Sequence, residues 1–314
     1  MSRAATDLGQ VLTAMITPFD RDGGLDLAGA ERMARLLVDN GNDGVVVAGT
    51  TGESPTLTDA EKLELFRAVR AAVPDAVVVA GTGTYDTRAS IHLSREAEKV
   101  GVDAVMAVVP YYNKPPQKSL YAHFTAIAAA IDGPLVLYNV PTRTIANLEA
   151  QTSIRLSQVD NIVALKEASP DLSQCAAVCA GMDPGFRVYS GEDSLTLSML
   201  AVGAHGVISV AGHFAGQGIK AMIEYQRMGD NARAAHLQHL LLPIFKGVFC
   251  TASPVPTKAL FRSLGVEVGD TRLPLLMDEI TAEQLDGLVR VITDLRSSDA
   301  GDLALRVDTA APAP

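Results

Sequence analysis

One lysine, Lys166, lies near the end of the apolar segment IVALKEA, which covers Ile162–Ala168. Successive side chains of a strand alternate between its two faces. We expect one face to carry Ile162, Ala164 and Lys166, and the other to carry Val163, Leu165 and Glu167. Burial disfavours an ammonium group and lowers its pKa, which leaves a neutral amine able to attack a ketone. The alternative is a structural lysine that reaches solvent or pairs with an acid.

Polar residues also collect in five other segments, each of which follows an apolar run. These segments are GTTGES (Gly49–Ser54), GTGTYDT (Gly81–Thr87), PYYNKPPQ (Pro110–Gln117), YNVPTRT (Tyr138–Thr144) and YSGEDS (Tyr189–Ser194). GTTGES suits an anion through its backbone N–H groups, and a simple tight turn is the alternative. No Gly-Lys-Ser/Thr follows it, so it is not a nucleotide P-loop. GTGTYD lacks the third glycine of a dinucleotide-binding fingerprint.

Several of these polar residues have a structural interpretation as well. The tyrosines of PYYNKPPQ could be packing aromatics, although a surface loop in which Asn, Lys and two prolines follow them is an unusual place for packing. Arg143 could form a surface ion pair, or its guanidinium group could bind a carboxylate in a bidentate manner. His236 and His239 are helically spaced but lack further ligands, so we expect no metal site there.

One hypothesis accounts for all the segments together. Lys166 forms a Schiff base with a small 2-keto acid, and GTTGES binds the carboxylate of that acid. Tyrosine and threonine hydroxyls move protons, and Arg143 holds a second acidic substrate. The protonated imine draws electrons, so the neighbouring methyl group becomes an enamine nucleophile. We therefore expect neither a metal nor an organic cofactor.

Eight apolar, β-branched runs alternate with amphipathic helical stretches along the first two thirds of the chain. The runs are Val11–Ile16, Gly44–Ala48, Ala76–Ala80, Ala104–Val109, Leu135–Tyr138, Ile162–Leu165, Phe186–Tyr189 and Gly206–Val210. Thr58 and Glu61 form a capping box, Thr87 is a candidate cap for the next helix, and Gly101 and Gly41 suit helix ends. Such repeated βα units predict an α/β fold, a (β/α)8 TIM barrel, whose strand ends carry the site. An open doubly wound sheet is the alternative.

The chain after the eighth run reads as helices and then as a polar end. We expect a barrel over residues 1–217, a C-terminal helical extension over 218–296 and a disordered tail over 297–314, which is small, polar and proline-containing.

Composition excludes several classes of function. The net charge is −10 and no basic cluster is present, so nucleic acid is not expected as a partner. No apolar run reaches the ~18 residues of a membrane span, and no signal-peptide pattern opens the chain. We therefore expect a cytoplasmic protein that does not bind membranes. Its 3 cysteines are too few and too scattered for a disulfide framework.

The motifs GTTGES, PYYNKPPQ, YNVPTRT, ALKEA and YSGEDS closely resemble those of the 4-hydroxy-tetrahydrodipicolinate synthases, also called dihydrodipicolinate synthases. That family belongs to the Schiff-base lyases of the N-acetylneuraminate lyase superfamily. Order and spacing agree from about Gly9 to Leu295. The resemblance implies a (β/α)8 barrel with C-terminal helices, lysine biosynthesis through pyruvate and aspartate semialdehyde, and a homotetramer built as a dimer of dimers.

The resemblance also implies a role for each site residue. Lys166 would be the Schiff-base lysine. Thr50, Tyr138 and Tyr112 would form a proton relay, with Tyr112 reaching into a neighbouring subunit. The substrate-binding residues would be Thr51 for the pyruvate carboxylate, Arg143 for aspartate semialdehyde, and the backbone groups of Gly191 and Ile208.

Rival functions stay open at this point. Within the superfamily they are sialic acid lyase, 2-keto-3-deoxygluconate aldolase and hydroxy-oxoglutarate aldolase, and Arg143 favours the synthase because sugar-acid lyases lack it. A non-catalytic barrel that binds a keto acid would lack one of Lys166, Tyr138, Thr50 or Tyr112, yet all four are present.

The resemblance has one regulatory implication. In feedback-inhibited relatives, a glutamate early in the helix after strand 3 holds the ammonium group of lysine. Here that position is Ala89, beside Arg88. The other altered positions of that lysine site are Tyr85, Asp59 and Lys62, while Ser54 and Tyr111 remain. We therefore expect insensitivity to lysine.

Overall fold

The computed structural model describes residues 7–298 and 301–305. Eight parallel strands close into a barrel in which neighbours in sequence are neighbours in space and β1 pairs with β8. The strands are β1 Val11–Ala14, β2 Gly44–Val47, β3 Val77–Gly81, β4 Ala104–Val108, β5 Leu135–Asn139, β6 Ile162–Glu167, β7 Arg187–Ser190 and β8 Gly206–Ser209. The predicted (β/α)8 barrel is confirmed, and the open sheet is excluded.

Helices cover the outside of the barrel and continue beyond β8. They are α1 Leu27–Asp39, α2 Asp59–Ala72, α3 Thr87–Val100, α4 Gln117–Ala128, α5 Pro141–Thr144, α6 Ala150–Leu156, α7 Leu172–Gly181, α8 Thr196–Ala201, α9 Gly212–Arg227, α10 Asn231–Gly247, α11 Val255–Ser263 and α12 Ala282–Ser297. The four last helices confirm the C-terminal helical extension. The boundary proposed after residue 217 stays a prediction. None of the described helices combines the length and apolar character needed to cross a bilayer.

Strand side chains separate into two apolar layers. The inner layer fills the barrel and includes Leu12, Val46, Val79, Met106, Val136, Tyr189 and Ile208. The outer layer joins the strands to the surrounding helices and includes Val11, Val45, Val47, Leu137, Leu165 and Val207. Because each strand is buried on both sides, it reads as an unbroken apolar run.

The alternation predicted for β6 is wrong at its beginning. Leu135 pairs with Ile162 but Val136 pairs with Ala164, so the β5–β6 pairing contains an irregularity at Val163. An extra residue in a strand moves the side chains that precede it to the opposite face of the sheet. Ile162 accordingly lies in the outer layer, and Val163 shares the inner layer with Ala164.

Helix starts follow the local sequence with one correction. The capping box of Thr58 and Glu61 is present, and Gly101 ends α3 with a left-handed φ of 87°. Gly41 adopts φ 86° just after α1. The cap of α3 is Asp86, because its carboxylate accepts a hydrogen bond from the Ala89 N–H at 2.8 Å, and the predicted cap Thr87 is the first helical residue.

Part of the tail expected to be disordered packs against the barrel. Residues 301–303 form a short 3-10 turn, and Ala304 and Leu305 are buried. The Leu305 N–H donates to the Phe214 carbonyl at 2.7 Å, and Arg296 donates to the Leu305 carbonyl at 2.8 Å. Burial of the Ala304 and Leu305 side chains therefore holds residues 301–305 against the barrel. Residues 299–300 and 306–314 lie outside the described residues.

Candidate active site

Lys166 and Tyr138 lie side by side at the carboxyl ends of β6 and β5, where they are register partners. The Lys166 Nζ lies 4.4 Å from the centroid of the Tyr138 ring. Both side chains are buried, with 5% of Lys166 and 6% of Tyr138 exposed. Two potential acid–base groups therefore share one small, shielded volume.

The surroundings of Lys166 favour its neutral form. Burial is the largest influence and lowers the pKa of the amine from 10.5 to about 8. The carboxyl group of Asp193 raises that pKa and the guanidinium of Arg143 lowers it, and both effects are smaller than burial. At neutral pH a useful fraction of the amine is therefore unprotonated and nucleophilic.

Tyr138 keeps its proton. Burial raises the pKa of the phenol above its usual value, while Arg143 and a hydrogen bond with the Thr50 side chain lower it. Glu192 adds a further upward influence. Thr50 is therefore close enough to Tyr138 to influence the pKa of its phenol. A hydroxyl on the β2 loop and a phenol beside Lys166 are the kinds of group that a proton relay uses, and that role stays a prediction.

Gly191 leaves the space that the lysine side chain occupies. A Cβ atom built at this position would lie 3.1 Å from both Cγ and Cε of Lys166 and 2.7 Å from the Cβ of Ala168. The Gly191 N–H also donates to the Glu167 carbonyl at 2.7 Å, which ties the loop after β7 to β6. A larger residue here would push Lys166 from its position.

The segment GTTGES forms a tight loop after β2. Thr51 is 5% exposed, and the Thr17 hydroxyl donates to the Gly52 carbonyl at 2.7 Å. The Glu53 N–H donates to the Thr50 carbonyl at 3.0 Å. Within the described part of the chain, the main-chain N–H groups of Thr50 and Thr51 have no acceptor. Two such donors suit a carboxylate.

Arg143 lies on α5, after β5, and its side chain is exposed. It is close enough to influence the pKa of both Lys166 and Tyr138. Within the described residues, no carboxylate lies at ion-pair distance from it, so a surface ion pair does not account for it. The guanidinium is available for an acidic ligand.

A cavity of about 230 Å³ opens beside Thr50, Tyr138 and Arg143, while Lys166 and Thr51 are not among the residues that line it. Its walls are Ala48, Gly49, Thr50, Ser54, Pro55, Gly81, Gly83, Met106, Val108, Tyr111, Tyr138, Val140, Arg143 and Thr144. Four of the predicted polar segments, GTTGES, GTGTYDT, PYYNKPPQ and YNVPTRT, therefore meet at this cavity. Ile208 lies deeper, in the inner layer of the barrel, and is 1% exposed.

Tyr112 is the predicted site residue that does not join the others within one chain. It is 93% exposed and has a left-handed φ of 72°, a strained conformation for an aromatic residue. Its neighbour Tyr111 lines the cavity instead, with its hydroxyl 3.4 Å from the Thr84 hydroxyl.

Two buried acids next to Lys166 were not assigned roles from the sequence. Asp193 accepts hydrogen bonds from the N–H groups of Val210 and Ala211 at 3.0 and 2.9 Å, and from the Ser209 hydroxyl. Glu167 accepts from Ser169 N at 2.7 Å and from Asn139 Nδ2 at 2.9 Å. Burial raises the pKa of Glu167 to about 7. The sequence does offer a signal for both acids, because each lies at the end of a strand. Asp193 is within YSGEDS, and Glu167 is within ALKEA.

Comparisons with known proteins agree with this geometry. Residues 7–295 match the family model described as "Dihydrodipicolinate synthetase family". The 4-hydroxy-tetrahydrodipicolinate synthase of Moorella thermoacetica is 56% identical over 85% of this chain and 92% of its own length. That of Desulforudis audaxviator is 52% identical over 90% of this chain and 96% of its own length. The crystal structure of the dihydrodipicolinate synthase of Cyanidioschyzon merolae with lysine bound superposes with a TM-score of 0.89 at 46% identity, covering 91% of this chain and 97% of that one.

Proposed function

The chain belongs to the dihydrodipicolinate synthetase family, and we propose that it acts as a 4-hydroxy-tetrahydrodipicolinate synthase of lysine and diaminopimelate biosynthesis. Its substrates are pyruvate and L-aspartate 4-semialdehyde. The observation that carries the proposal is the buried Lys166 amine, with a pKa of about 8, beside the Tyr138 phenol.

The first half of the reaction activates pyruvate on Lys166. The neutral amine attacks the keto carbon, and the resulting carbinolamine loses water to give a protonated Schiff base. Tyr138, Thr50 and Tyr112 carry the protons of these steps. The N–H groups and hydroxyl of the loop at Thr51 bind the pyruvate carboxylate, and the backbone groups of Gly191 and Ile208 line the pocket. Loss of a methyl proton then gives the enamine.

The second half joins the two substrates and frees the lysine. The enamine carbon attacks the aldehyde carbon of the semialdehyde, whose carboxylate is held by Arg143. The amino group of the same substrate then attacks the imine carbon, closes the ring and displaces Lys166. The sum is 4-hydroxy-tetrahydrodipicolinate plus one water, so the atoms balance without an oxidant or a reductant.

Tyr112 supports a further element of the proposal. A phenol that is 93% exposed in a strained turn cannot serve its own cavity, and contact with a second copy would bury it. We infer that the relay is completed across a subunit interface, within a homotetramer built as a dimer of dimers. The cytoplasmic location and the insensitivity to lysine stay predictions.

Substrate choice is the direct test. A coupled assay should show turnover of pyruvate with aspartate semialdehyde, and none of N-acetylneuraminate or 2-keto-3-deoxygluconate in parallel reactions. Cleavage of either sugar acid at a comparable rate would assign the chain to another aldolase of the superfamily. Binding of pyruvate without any turnover would indicate a sensor.

A further inference from the structure

A buried ion pair joins the GTTGES loop to the C-terminal helices. The Nζ of Lys258, on α11, lies 2.7 Å from the Oε1 of Glu53, and the two side chains are 0% and 2% exposed. Lys258 also donates to the Asp270 carbonyl at 2.9 Å, and its Nζ lies 4.2 Å from the centroid of the Phe19 ring. The ammonium group of Lys258 therefore makes its contacts inside the protein and not with solvent.

Arg272 fixes the same loop from a second direction. Its main-chain N–H donates to Glu53 Oε2 at 2.9 Å, and its Nη1 donates to the Thr56 carbonyl at 2.9 Å. Its Nη2 donates to Glu61 Oε1 at 2.6 Å, and its Nε donates to the Gly23 carbonyl at 2.9 Å. One arginine thus connects the loop after β1, the end of GTTGES and the first turn of α2.

These contacts hold the one residue of the loop whose backbone is strained. Glu53 has a left-handed φ of 56°, which is unfavourable for a residue with a side chain. Its N–H donates to the Thr50 carbonyl at 3.0 Å, and its carbonyl accepts from the Thr56 N–H at 2.9 Å. Glu53 does not line the cavity, whereas Thr50 and Ser54 do. Its side chain therefore acts on the loop and not on a ligand.

We propose that Lys258 and Arg272 are positioning residues that hold Glu53, and through it the GTTGES loop, in the shape that binds the carboxylate of the keto acid. Helix α11 and the segment that follows it thereby set the affinity for pyruvate. This inference rests on the proposed function, because it assumes that the loop binds pyruvate.

Energetics favours a positioning role over simple stabilisation. Desolvation of two buried charges offsets most of their mutual attraction, so a buried pair contributes little net stability compared with apolar residues of similar volume. Its effect is to fix the partners in one geometry, since either charge left alone in the interior is strongly unfavourable. In this protein that geometry is the backbone turn beside the N–H groups of Thr50 and Thr51.

The first test is Arg272→Gln, with Arg262→Gln as the matched control. Arg262 is on α11 and pairs with Asp270 at the surface, without contact to the loop. The readouts are half-saturation by pyruvate in borohydride trapping, and the KM of each substrate in turnover. Arg272→Gln keeps the main-chain N–H that donates to Glu53 but loses the guanidinium contacts to Gly23, Thr56 and Glu61. The loop is then held less firmly, and the pyruvate values should rise about tenfold. The KM for the semialdehyde and the behaviour of the control should stay within about twofold of the unsubstituted enzyme.

The second test removes both buried charges together, in the double variant Glu53→Gln and Lys258→Met. It leaves no unpaired charge, and a glutamine oxygen can still accept from the Arg272 N–H. This variant should fold and show the same selective rise for pyruvate. Equal changes for both substrates, or a lower melting temperature with unchanged pyruvate half-saturation, would overturn the inference. Failure of the proposed function itself would look different, because the unsubstituted enzyme would then form no adduct with pyruvate.

Discussion

Replacing Asp193 with asparagine is expected to make Lys166 reactive at a lower pH. Asp193 is buried near the amine, and its carboxyl group opposes the effect of burial on the Lys166 pKa. Asparagine keeps an oxygen that can accept from the Val210 and Ala211 N–H groups, but it carries no charge. The ammonium form then loses a stabilising neighbour, so the neutral amine becomes more abundant.

The size of the effect follows from the pKa of about 8. At pH 7 about one amine in eleven is neutral at that pKa, against roughly one in three thousand at the ordinary value of 10.5. The surroundings of Lys166 together therefore increase the reactive fraction about 300-fold. Loss of a nearby charge that contributes about 1.4 kcal/mol would raise the neutral fraction at pH 6.5 by up to about tenfold.

The assay is the kcat/KM for pyruvate between pH 6 and 10, which reports the ionisation of the free enzyme. The unsubstituted enzyme should gain activity up to about pH 8 and then level off. Asp193→Asn should reach its plateau at lower pH. The matched control is Asp230→Asn, which changes the partly exposed cap of α10 and should leave the profile in place. A rise that continues to pH 10 in the unsubstituted enzyme, or a profile that Asp193→Asn leaves unmoved, would refute the reasoning.

Three further predictions concern the second substrate, the subunit interface and regulation. Arg143→Ala should raise the KM for aspartate semialdehyde by roughly 10- to 150-fold through loss of a charge-assisted contact, while borohydride trapping of pyruvate survives. Mixing inactive Tyr112→Phe subunits with inactive Lys166→Ala subunits should restore partial activity, because hybrid dimers contain an intact site. L-lysine up to millimolar concentration should leave the initial rate unchanged, since Ala89 cannot pair with an ammonium group and Arg88 repels it. An unpaired charge in the lysine site is costly by several kcal/mol.

Each of these predictions has a contradicting result. Equal loss of pyruvate trapping in Arg143→Ala would give the arginine a structural role. No recovery after confirmed subunit exchange would place Tyr112 outside catalysis or within its own chain's site. Half-inhibition by lysine below about 1 mM would correspond to a binding free energy near −4 kcal/mol and would show that the lysine site still binds lysine. In that case Asp86 is the residue to replace, because its carboxylate could pair with the lysine ammonium group in place of the missing glutamate. That carboxylate already caps α3 through the Ala89 N–H.

The barrel could be predicted from the sequence because its determinants are local. Each parallel strand is buried on both faces and appears as an apolar run, and caps such as Thr58 with Glu61 mark the helices between. The register of β6 could not be predicted in this way. The irregularity at Val163 depends on how β6 pairs with β5, and its own residues give no sign of it.

The candidate site was predictable where its residues follow strands. Lys166 appeared as an ammonium in an apolar strand, and the structure places it beside Tyr138 as the barrel geometry requires. Asp193 was missed because its effect on Lys166 depends on contact between two strands. The pairing of Glu53 with Lys258 was equally hidden, since more than two hundred positions separate the partners and neither has a local pattern.

The central claim is that Lys166 forms the Schiff base with pyruvate, and reductive trapping tests it most directly. The protein is incubated with pyruvate and borohydride, digested and analysed by mass spectrometry. We expect one reduced pyruvyl adduct on the peptide that carries Lys166, and no adduct in Lys166→Ala. An adduct on Lys114 or Lys258, or an unmodified protein, would contradict it.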